Sequence, residues 1–346
     1  MKKTLAVAAV LAAFAGSAAA DVTVYGKVDM GYLWTHSGDT DTLAMGNNGG
    51  NTSRIGFKGS EKIGDLTVGF QYETGLEPDN GNANKTFNNR ESRVYVKGAF
   101  GEIGAGFFGL LDASTGSYSI TGGISAAGTG WGGDILDQGW VVKTRSRMGN
   151  AVTYVSPAMA GVTAYVQAAS GTTEYAAGKF SEFTDEHDAY YAVGAKYQNG
   201  ALGAVLTVST MEVGKATATN PGVEDKNYVA GVNYNFGAFT GYLGANYYDT
   251  GLEGQDQYGV VVSAKGALLG GTAYVSAGYG EVCDNAAGDE TKMYFGVGYQ
   301  YPLSKSTFLY GAANWKQSDK TDVLKDGAYG AEVNTSEVAF GIVHNF

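Results

Sequence analysis

Apolar and polar residues alternate one by one through most of the 346-residue chain after residue 21. In the first such segment the large apolar residues share one parity: Val22, Val24, Val28, Met30, Tyr32 and Trp34. A period of two places apolar side chains on one face of a β-strand and polar side chains on the other. The many Tyr and Phe residues favour strands, and the 54 glycines weaken helices. The alternation therefore predicts an all-β fold with one face in an apolar medium.

The connections between the predicted strands alternate between short and long. Short turns are expected near residues 63–65, 99–101, 157–160, 199–200, 237–238, 270–271 and 302–304, and long polar loops near 35–51, 77–86, 109–144, 171–187, 213–225, 249–255, 281–290 and 317–333. Seven short and eight long connections join sixteen strands, with both termini on the short-turn side. This rhythm is typical of a transmembrane antiparallel up-and-down β-barrel, with tight periplasmic turns and longer outer loops. A soluble β-sandwich explains the alternation but not the rhythm.

Both ends of the sequence agree with a barrel in the outer membrane. Residues 1–20 combine two lysines, an apolar stretch and a small-residue cleavage site, which predicts a signal peptide and export through the periplasm. Residues 21–346 then form a single barrel domain. The last segment alternates and ends on an aromatic residue, and a closed barrel protects such an edge by pairing it with the first strand. We expect Asp21 and Phe346 to mark barrel closure and the assembly signal.

Composition and residue spacing exclude several classes of function. The net charge of −11 argues against nucleic acid as a partner. The single cysteine, Cys283, excludes a disulfide framework, and no His, Cys and carboxylate cluster has the spacing of a metal site, so no cofactor is expected. No serine stands in a nucleophile context beside a histidine, so we predict that the chain is not an enzyme. A barrel hydrolase using His187 and its acidic neighbours is the alternative.

The longest loop, residues 109–144, is the predicted constriction. A sixteen-stranded barrel encloses more space than side chains fill, so a water channel is expected inside it. A loop this long is usually functional or disordered, and after the fifth strand it is placed to fold into the pore and narrow it. Its carboxylates, Asp112, Asp134 and Asp137, are the acidic candidates for the constriction.

Basic residues on the predicted water face are the partners of these carboxylates. They are Arg54, Lys58, Arg93, Arg145 and Arg147, with Lys27 and Lys97 in the same orientation. Carboxylates opposite guanidinium groups create a transverse field that orients polar solutes and disfavours apolar ones. We therefore predict passive diffusion of ions and small hydrophilic solutes. The alternatives are charges that merely solvate the lumen, a channel specific for sugars or phosphate, and a β-domain without a conducting pore.

Four segments resemble those of Gram-negative general porins of the neisserial and β-proteobacterial type. They are TSRIGFKG at 52–59 followed by Glu61, RVYVKGAFGEI at 93–103, NAVTYVSP at 150–157 with Gly161, and GIVHNF at 341–346. The resemblance covers the whole chain after the signal peptide. It implies a homotrimer of sixteen-stranded barrels in the outer membrane with an inward-folded third loop. By position, Arg54, Arg93 and Arg147 resemble the family's constriction arginines.

Two features depart from the family pattern. Residues 90–93 read Arg-Glu-Ser-Arg, where relatives commonly place neutral residues after the first arginine, and the long loop carries Trp131 and Trp140. Many relatives favour anions, but the acidic loops of this chain favour cations, so the sequence leaves the sign of the selectivity open. Outer-membrane lipid and lipopolysaccharide, with its divalent ions, complete the expected partners.

Overall fold

The computed structural model describes residues 22–46, 52–79, 90–128, 136, 138–171, 188–212, 223–284, 288–319 and 333–346. Its strands are β1 (Thr23–Ser37), β2 (Thr40–Gly46), β3 (Arg54–Ile63), β4 (Leu66–Gly75), β5 (Glu91–Gly98), β6 (Gly101–Gly109), β7 (Arg147–Val155), β8 (Val162–Gly171), β9 (Asp188–Asn199), β10 (Leu202–Glu212), β11 (Glu224–Asn235), β12 (Phe239–Leu252), β13 (Gln255–Leu268), β14 (Gly271–Asp284), β15 (Glu290–Pro302), β16 (Thr307–Ser318) and β17 (Val333–Asn345). Two short 3-10 helices, Thr121–Ile124 and Gln138–Trp140, lie between β6 and β7. Within these ranges no helix has the length and apolar character needed to cross a membrane.

The seventeen strands occupy sixteen positions around a closed antiparallel barrel, because β2 and β3 lie end to end beside β1 and count as one position. The first half of β1 pairs with β3, with Lys27 opposite Arg54, and the second half pairs with β2, with Gly31 opposite Gly46. Both partners are antiparallel to β1, whose other neighbour is β17. Each later strand pairs with the next one along the chain. The predicted sixteen-stranded barrel is confirmed.

The predicted rhythm of connections holds with two corrections. Each predicted short turn joins two adjacent, paired strands, as Gly64 and Asp65 do between β3 and β4. The prediction of a long loop at 249–255 is wrong, because β12 continues to Leu252 and β13 begins at Gln255. The predicted loop at 35–51 contains β2. In both places the polar residues pair in the sheet, since backbone pairing rather than side-chain polarity decides whether a strand continues.

The outer surface of the barrel is apolar, as the alternation predicts. On β17 the side chains of Val338, Phe340 and Ile342 are exposed, whereas Ala339 and Val343, of the opposite parity, are fully buried on the inner side. A surface of this kind suits the hydrocarbon region of a membrane, where a closed barrel leaves no backbone edge unpaired.

The buried apolar core lies between the barrel wall and the segment that joins β6 to β7. Three clusters combine loop and wall residues: Leu110, Leu111 and Tyr118 with Phe108, Met148 and Tyr190; Ile124, Val141 and Val142 with Val205, Val229 and Val261; and Leu136 with Tyr310, Ala312, Ala339 and Val343. Full burial of an aliphatic side chain stabilises this arrangement by about 1.5–3 kcal/mol. The described part of the loop therefore packs against the inner face of the barrel.

Candidate pore constriction

The first half of the loop runs along the inner wall from β9 to β13. Ile124 lies against Gly231 on β11 and Gly244 on β12, at positions where a Cβ atom would collide with its side chain. The backbone N–H of Ala126 donates a hydrogen bond of 2.8 Å to Ser263 Oγ on β13. Glycine in the strands thus lets the loop approach closely, and inward hydroxyl groups satisfy its backbone.

The second half of the loop returns along the same wall. Leu136 packs against Tyr310 on β16 and Ala339 on β17. The ammonium groups of Lys292 and Lys316 lie over the ring of Trp140, 5.4 and 5.6 Å from its centroid. Cation–π contacts of this kind contribute about 0.5–1 kcal/mol each at exposed sites and more when desolvated. The loop is therefore held as far round the barrel as its last two strands.

A cluster of cations lies on the inner face of the first strands. Glu73 on β4 accepts a hydrogen bond of 2.6 Å from Arg90 Nε and one of 3.4 Å from Arg54 Nη1. Tyr25 donates to the other oxygen of the same carboxylate at 3.1 Å. Lys27 is the register partner of Arg54 on β1. The carboxylate of Glu73 therefore lies among three cationic side chains.

Arg147, at the start of β7, extends this cluster toward the loop. Its Nη2 donates to Thr115 Oγ1 at 2.5 Å, and its charge interacts with those of Arg90 and Glu91. Its Nε is buried without a hydrogen-bond partner among the described residues. The Arg147 side chain thus lies between the loop and the basic wall, where Arg54 and Arg147 remain predicted constriction residues.

Arg93 is fixed by its neighbours on every side. Its guanidinium lies 4.9 Å from the ring centroid of Tyr95 and 4.8 Å from that of Tyr118, a loop residue. Its Nη1 donates to Glu102 at 3.2 Å and its Nη2 to Gln71 at 3.1 Å. Arg93 therefore fastens the loop to β5 and β6, with its charge balanced by Glu102.

Asp112 and Arg145 do not face the channel, which corrects the expectation that they line its narrowest zone. Asp112 is 0 % exposed and Arg145 is 9 % exposed, and they bind each other at 3.1 Å beneath the loop. Burial alone would lower the pKa of Arg145, but the carboxylates of Asp225 and Asp112 outweigh burial and raise it above its ordinary value. The pairing satisfies both charges away from water.

The other predicted residues divide into two groups. Lys58 is exposed near the short-turn end of β3, with its ammonium 5.0 Å from the ring centroid of Tyr25, and it remains a predicted lumen residue. Asp21, Asp134 and Asp137, like the signal peptide at 1–20, lie outside the described residues.

Sequence reasoning did not select four residues that the structure brings to the site. Glu73 and Arg90 belong to the basic cluster, and Tyr190 and Asp225 hold the loop. Strand parity places Glu73 on the water face, so the alternation of the sequence could have identified this residue. The partnership of Asp225 with Arg145 joins positions 80 residues apart and leaves no local signal. Among the described residues no group of three His, Cys, Asp or Glu side chains has the arrangement of a metal site.

Comparisons with known proteins give matches along the whole barrel. A family model described as Gram-negative porin matches residues 6–321. Outer membrane porin protein 32 of Delftia acidovorans is 28 % identical over 365 residues that cover 100 % of both chains. The solved anion-selective porin from Comamonas acidovorans has a TM-score of 0.74 and 23 % identity, covering 95 % of this chain and 100 % of the other. The trimer form of OmpT from Vibrio cholerae has a TM-score of 0.63 and 15 % identity, covering 95 % and 100 %.

Proposed function

The chain belongs to the Gram-negative porin family, and we propose that its channel narrows at the basic cluster of β1 to β7 and prefers anions. It is an outer-membrane protein that forms a water-filled channel for passive diffusion of small hydrophilic solutes and ions, and it is not an enzyme. The predictions of family, membrane and function are therefore confirmed, whereas the constriction residues and the selectivity are proposals.

The local balance of charge carries the proposal. Four cationic side chains lie together: Lys27, Arg54, Arg90 and Arg147. The carboxylates beside them are those of Glu73, Glu91 and Asp29, three against four cations. All three carboxylates are engaged. Two arginines bind Glu73, the backbone N–H and hydroxyl of Ser117 bind Glu91 at 2.5 Å each, and Tyr310 donates to Asp29 at 2.9 Å. The cluster therefore presents an excess of positive charge to the lumen.

The position of this cluster on the channel wall lets its excess positive charge act on passing ions. Charges on the wall of a narrow, low-dielectric channel focus the field into the water, and rings or patches of Arg and Lys favour anions. The loop packs along β9 to β17 and displaces water from that side of the barrel. Permeating ions are thus directed past the strands that carry the cations.

The negative charge of the whole chain does not oppose an anion preference. The exposed carboxylates of Asp39, Asp41, Glu224 and Glu253 lie at the long-loop end of the barrel, and those of Glu61 and Asp65 lie at its short-turn end. At physiological ionic strength the Debye length is about 8 Å, so solvent ions screen such charges from the interior. The similar Comamonas acidovorans protein is an anion-selective porin, which agrees with this assignment.

Zero-current potentials in planar bilayers under a KCl gradient test the proposal. The native channel is expected to favour chloride, and Arg54→Gln with Arg147→Gln should shift the permeability ratio toward potassium. If each charge contributes about 0.2–1 kcal/mol, the permeability ratio should shift by roughly 2- to 30-fold for the pair. Lys226→Gln, an exposed residue on the outer face of β11, is the matched control. A native channel that favours potassium would refute the proposal.

Two partners are proposed with this function. We infer a homotrimer, in line with the trimer form of one similar structure, and contacts of the apolar outer surface with lipid and lipopolysaccharide. Native mass spectrometry of detergent-solubilised protein tests the first. A monomer under conditions that keep the barrel folded and conducting would contradict it.

A further inference from the structure

We infer that Asp112, Arg145 and Asp225 form an ionic latch that positions the loop and thereby sets the width of the pore. The inference rests on the proposed constriction, because a latch matters to permeation only if the loop narrows the channel. It assigns these three as positioning residues that act through the loop, since none of them faces the permeating ions.

Asp112 lies at the beginning of the loop and is held by side chains from three strands and from the loop itself. Its Oδ2 accepts hydrogen bonds from Ser209 on β10 at 2.7 Å, Asn227 on β11 at 2.9 Å and Arg145 at 3.1 Å. Its Oδ1 accepts one from Tyr190 on β9 at 2.8 Å. Four donors on one fully buried carboxylate fix both its position and its orientation.

Arg145 lies at the end of the loop and joins the same site from the other side. Both terminal nitrogens of its guanidinium bind Asp225 on β11, with Nη1 3.2 Å from Oδ2. Tyr248 on β12 donates to that oxygen at 2.9 Å. A two-pronged arginine–carboxylate pair specifies direction as well as distance, which a single hydrogen bond cannot do.

The two ends of the loop are also tied to each other. The backbone N–H of Arg145 donates to Asp112 O at 3.2 Å, and that of Leu110 donates to Ser146 O at 3.2 Å. The two ends of the loop, at residues 110–112 and 145–146, therefore lie side by side. The side chains of Asp112 and Arg145 bond to β9, β10 and β11, and Tyr248 on β12 bonds to Asp225, the partner of Arg145. The latch therefore fixes both ends of the loop, and together with the wall contacts of Ile124, Leu136 and Trp140 it sets where the loop lies in the lumen.

Neighbouring positions on β11 offer a matched pair of variants. Asp225 faces inward and is buried, whereas Glu224 beside it is exposed and bonded to Thr210 at 2.8 Å. Asp225→Asn keeps the shape of the side chain but removes the charge that Arg145 binds. Glu224→Gln removes one charge from the same strand end without touching the latch.

The experiment compares native protein, Asp225→Asn, Arg145→Lys and Glu224→Gln. It measures single-channel conductance in planar bilayers and the size limit for neutral sugars in liposome swelling, after gel mobility with and without heating shows a folded barrel. Asp225→Asn should change conductance by roughly twofold and shift the size limit, as the pore radius changes. Arg145→Lys, which keeps the charge but loses the fork, should give an intermediate change. Glu224→Gln should match the native channel.

The outcomes separate the latch from the selectivity. Asp225→Asn and Arg145→Lys barrels that are folded but keep native conductance and size limit would overturn the latch. If Asp225→Asn does not fold, Ser209→Ala removes one donor to Asp112 and decides the question by the same two readouts. A shifted size limit together with a cation-selective native channel would keep the latch and refute the anion preference. An anion-selective native channel with unchanged variants would do the opposite.

Discussion

Gly26 and Phe346 exchange both backbone hydrogen bonds, each with an N···O distance of 3.0 Å. The pair continues the register of β1 and β17 to the last residue of the chain and closes the barrel at its short-turn end. A Cβ atom on Gly26 would lie 2.5 Å from Phe346 Cζ and 2.5 Å from Arg54 O. The absence of a side chain at position 26 therefore allows the terminal ring to lie across the seam.

The first prediction concerns this seam. Gly26→Val should force the Phe346 ring and the Arg54 backbone apart, at a cost of about 1–3 kcal/mol, and slow or prevent closure. The yield of heat-modifiable, folded barrel during refolding into detergent measures the effect. Gly46→Ala, at a position where a Cβ meets nothing within 4 Å, is the control. Equal folding yields for the two variants would show that the contact does not limit closure.

A second prediction follows from the place of Tyr118 against Gly104. A Cβ at position 104 would collide with the Tyr118 hydroxyl, which donates to Glu102 at 2.8 Å. Burial raises the pKa of this phenol, so it remains a donor at neutral pH. Gly104→Ala should displace Tyr118 and leave Arg93 without one of its two rings, which alters ion selectivity while the barrel folds. Gly149→Ala meets nothing within 4 Å and serves as the comparison in the same reversal-potential measurement.

The third prediction tests the far end of the loop. Trp140→Ala removes the ring under Lys292 and Lys316 and should weaken the attachment by about 1–2 kcal/mol, whereas Trp140→Phe keeps a weaker cation–π surface. We expect faster cleavage of the loop by added protease in the alanine variant, with the phenylalanine variant between it and the native protein. Identical cleavage rates for all three proteins would mean that the indole does not hold the loop.

The fourth prediction concerns lysines near the short turns. Lys58, Lys196 and Lys265 each lie over an inward tyrosine ring, at 5.0, 5.9 and 5.5 Å. A cation–π contact places an ammonium group without neutralising it. Changing all three to Gln should lower chloride preference in about 0.01 M salt and have little effect in about 1 M salt, where the Debye length falls from about 30 to 3 Å. A loss of preference that is the same at both salt concentrations would point to the constriction instead.

The barrel could be predicted from the sequence because its signals are local. A period of two fixes which side chain of each strand faces outward, so the alternation at Val338, Phe340 and Ile342 was enough to orient β17. Turn residues fix where each strand ends. The exception at 249–255 arose because two polar residues of β12 still bond to β13. Asp249 pairs with Asp256, and the Thr250 hydroxyl donates to Gln255 O at 2.6 Å.

The site was predicted only in part, because its geometry depends on where a long loop comes to rest. Parity put Arg54 and Arg93 on the face where they contact Glu73 and the loop residue Tyr118. It could not show that Asp112 and Arg145 would satisfy each other beneath the loop, since that pairing requires strands β9 to β12 to supply the surrounding donors. Because Asp112 and Arg145 are buried, they hold the loop in place and do not line the channel.

The contact of Leu136 with β16 and β17 has a consequence for biogenesis. The surface on which Leu136 rests exists only after these two strands join the sheet. The loop between β6 and β7 therefore completes its packing after the barrel wall has formed. The loop can therefore reach its final position only in a barrel that already includes β16 and β17.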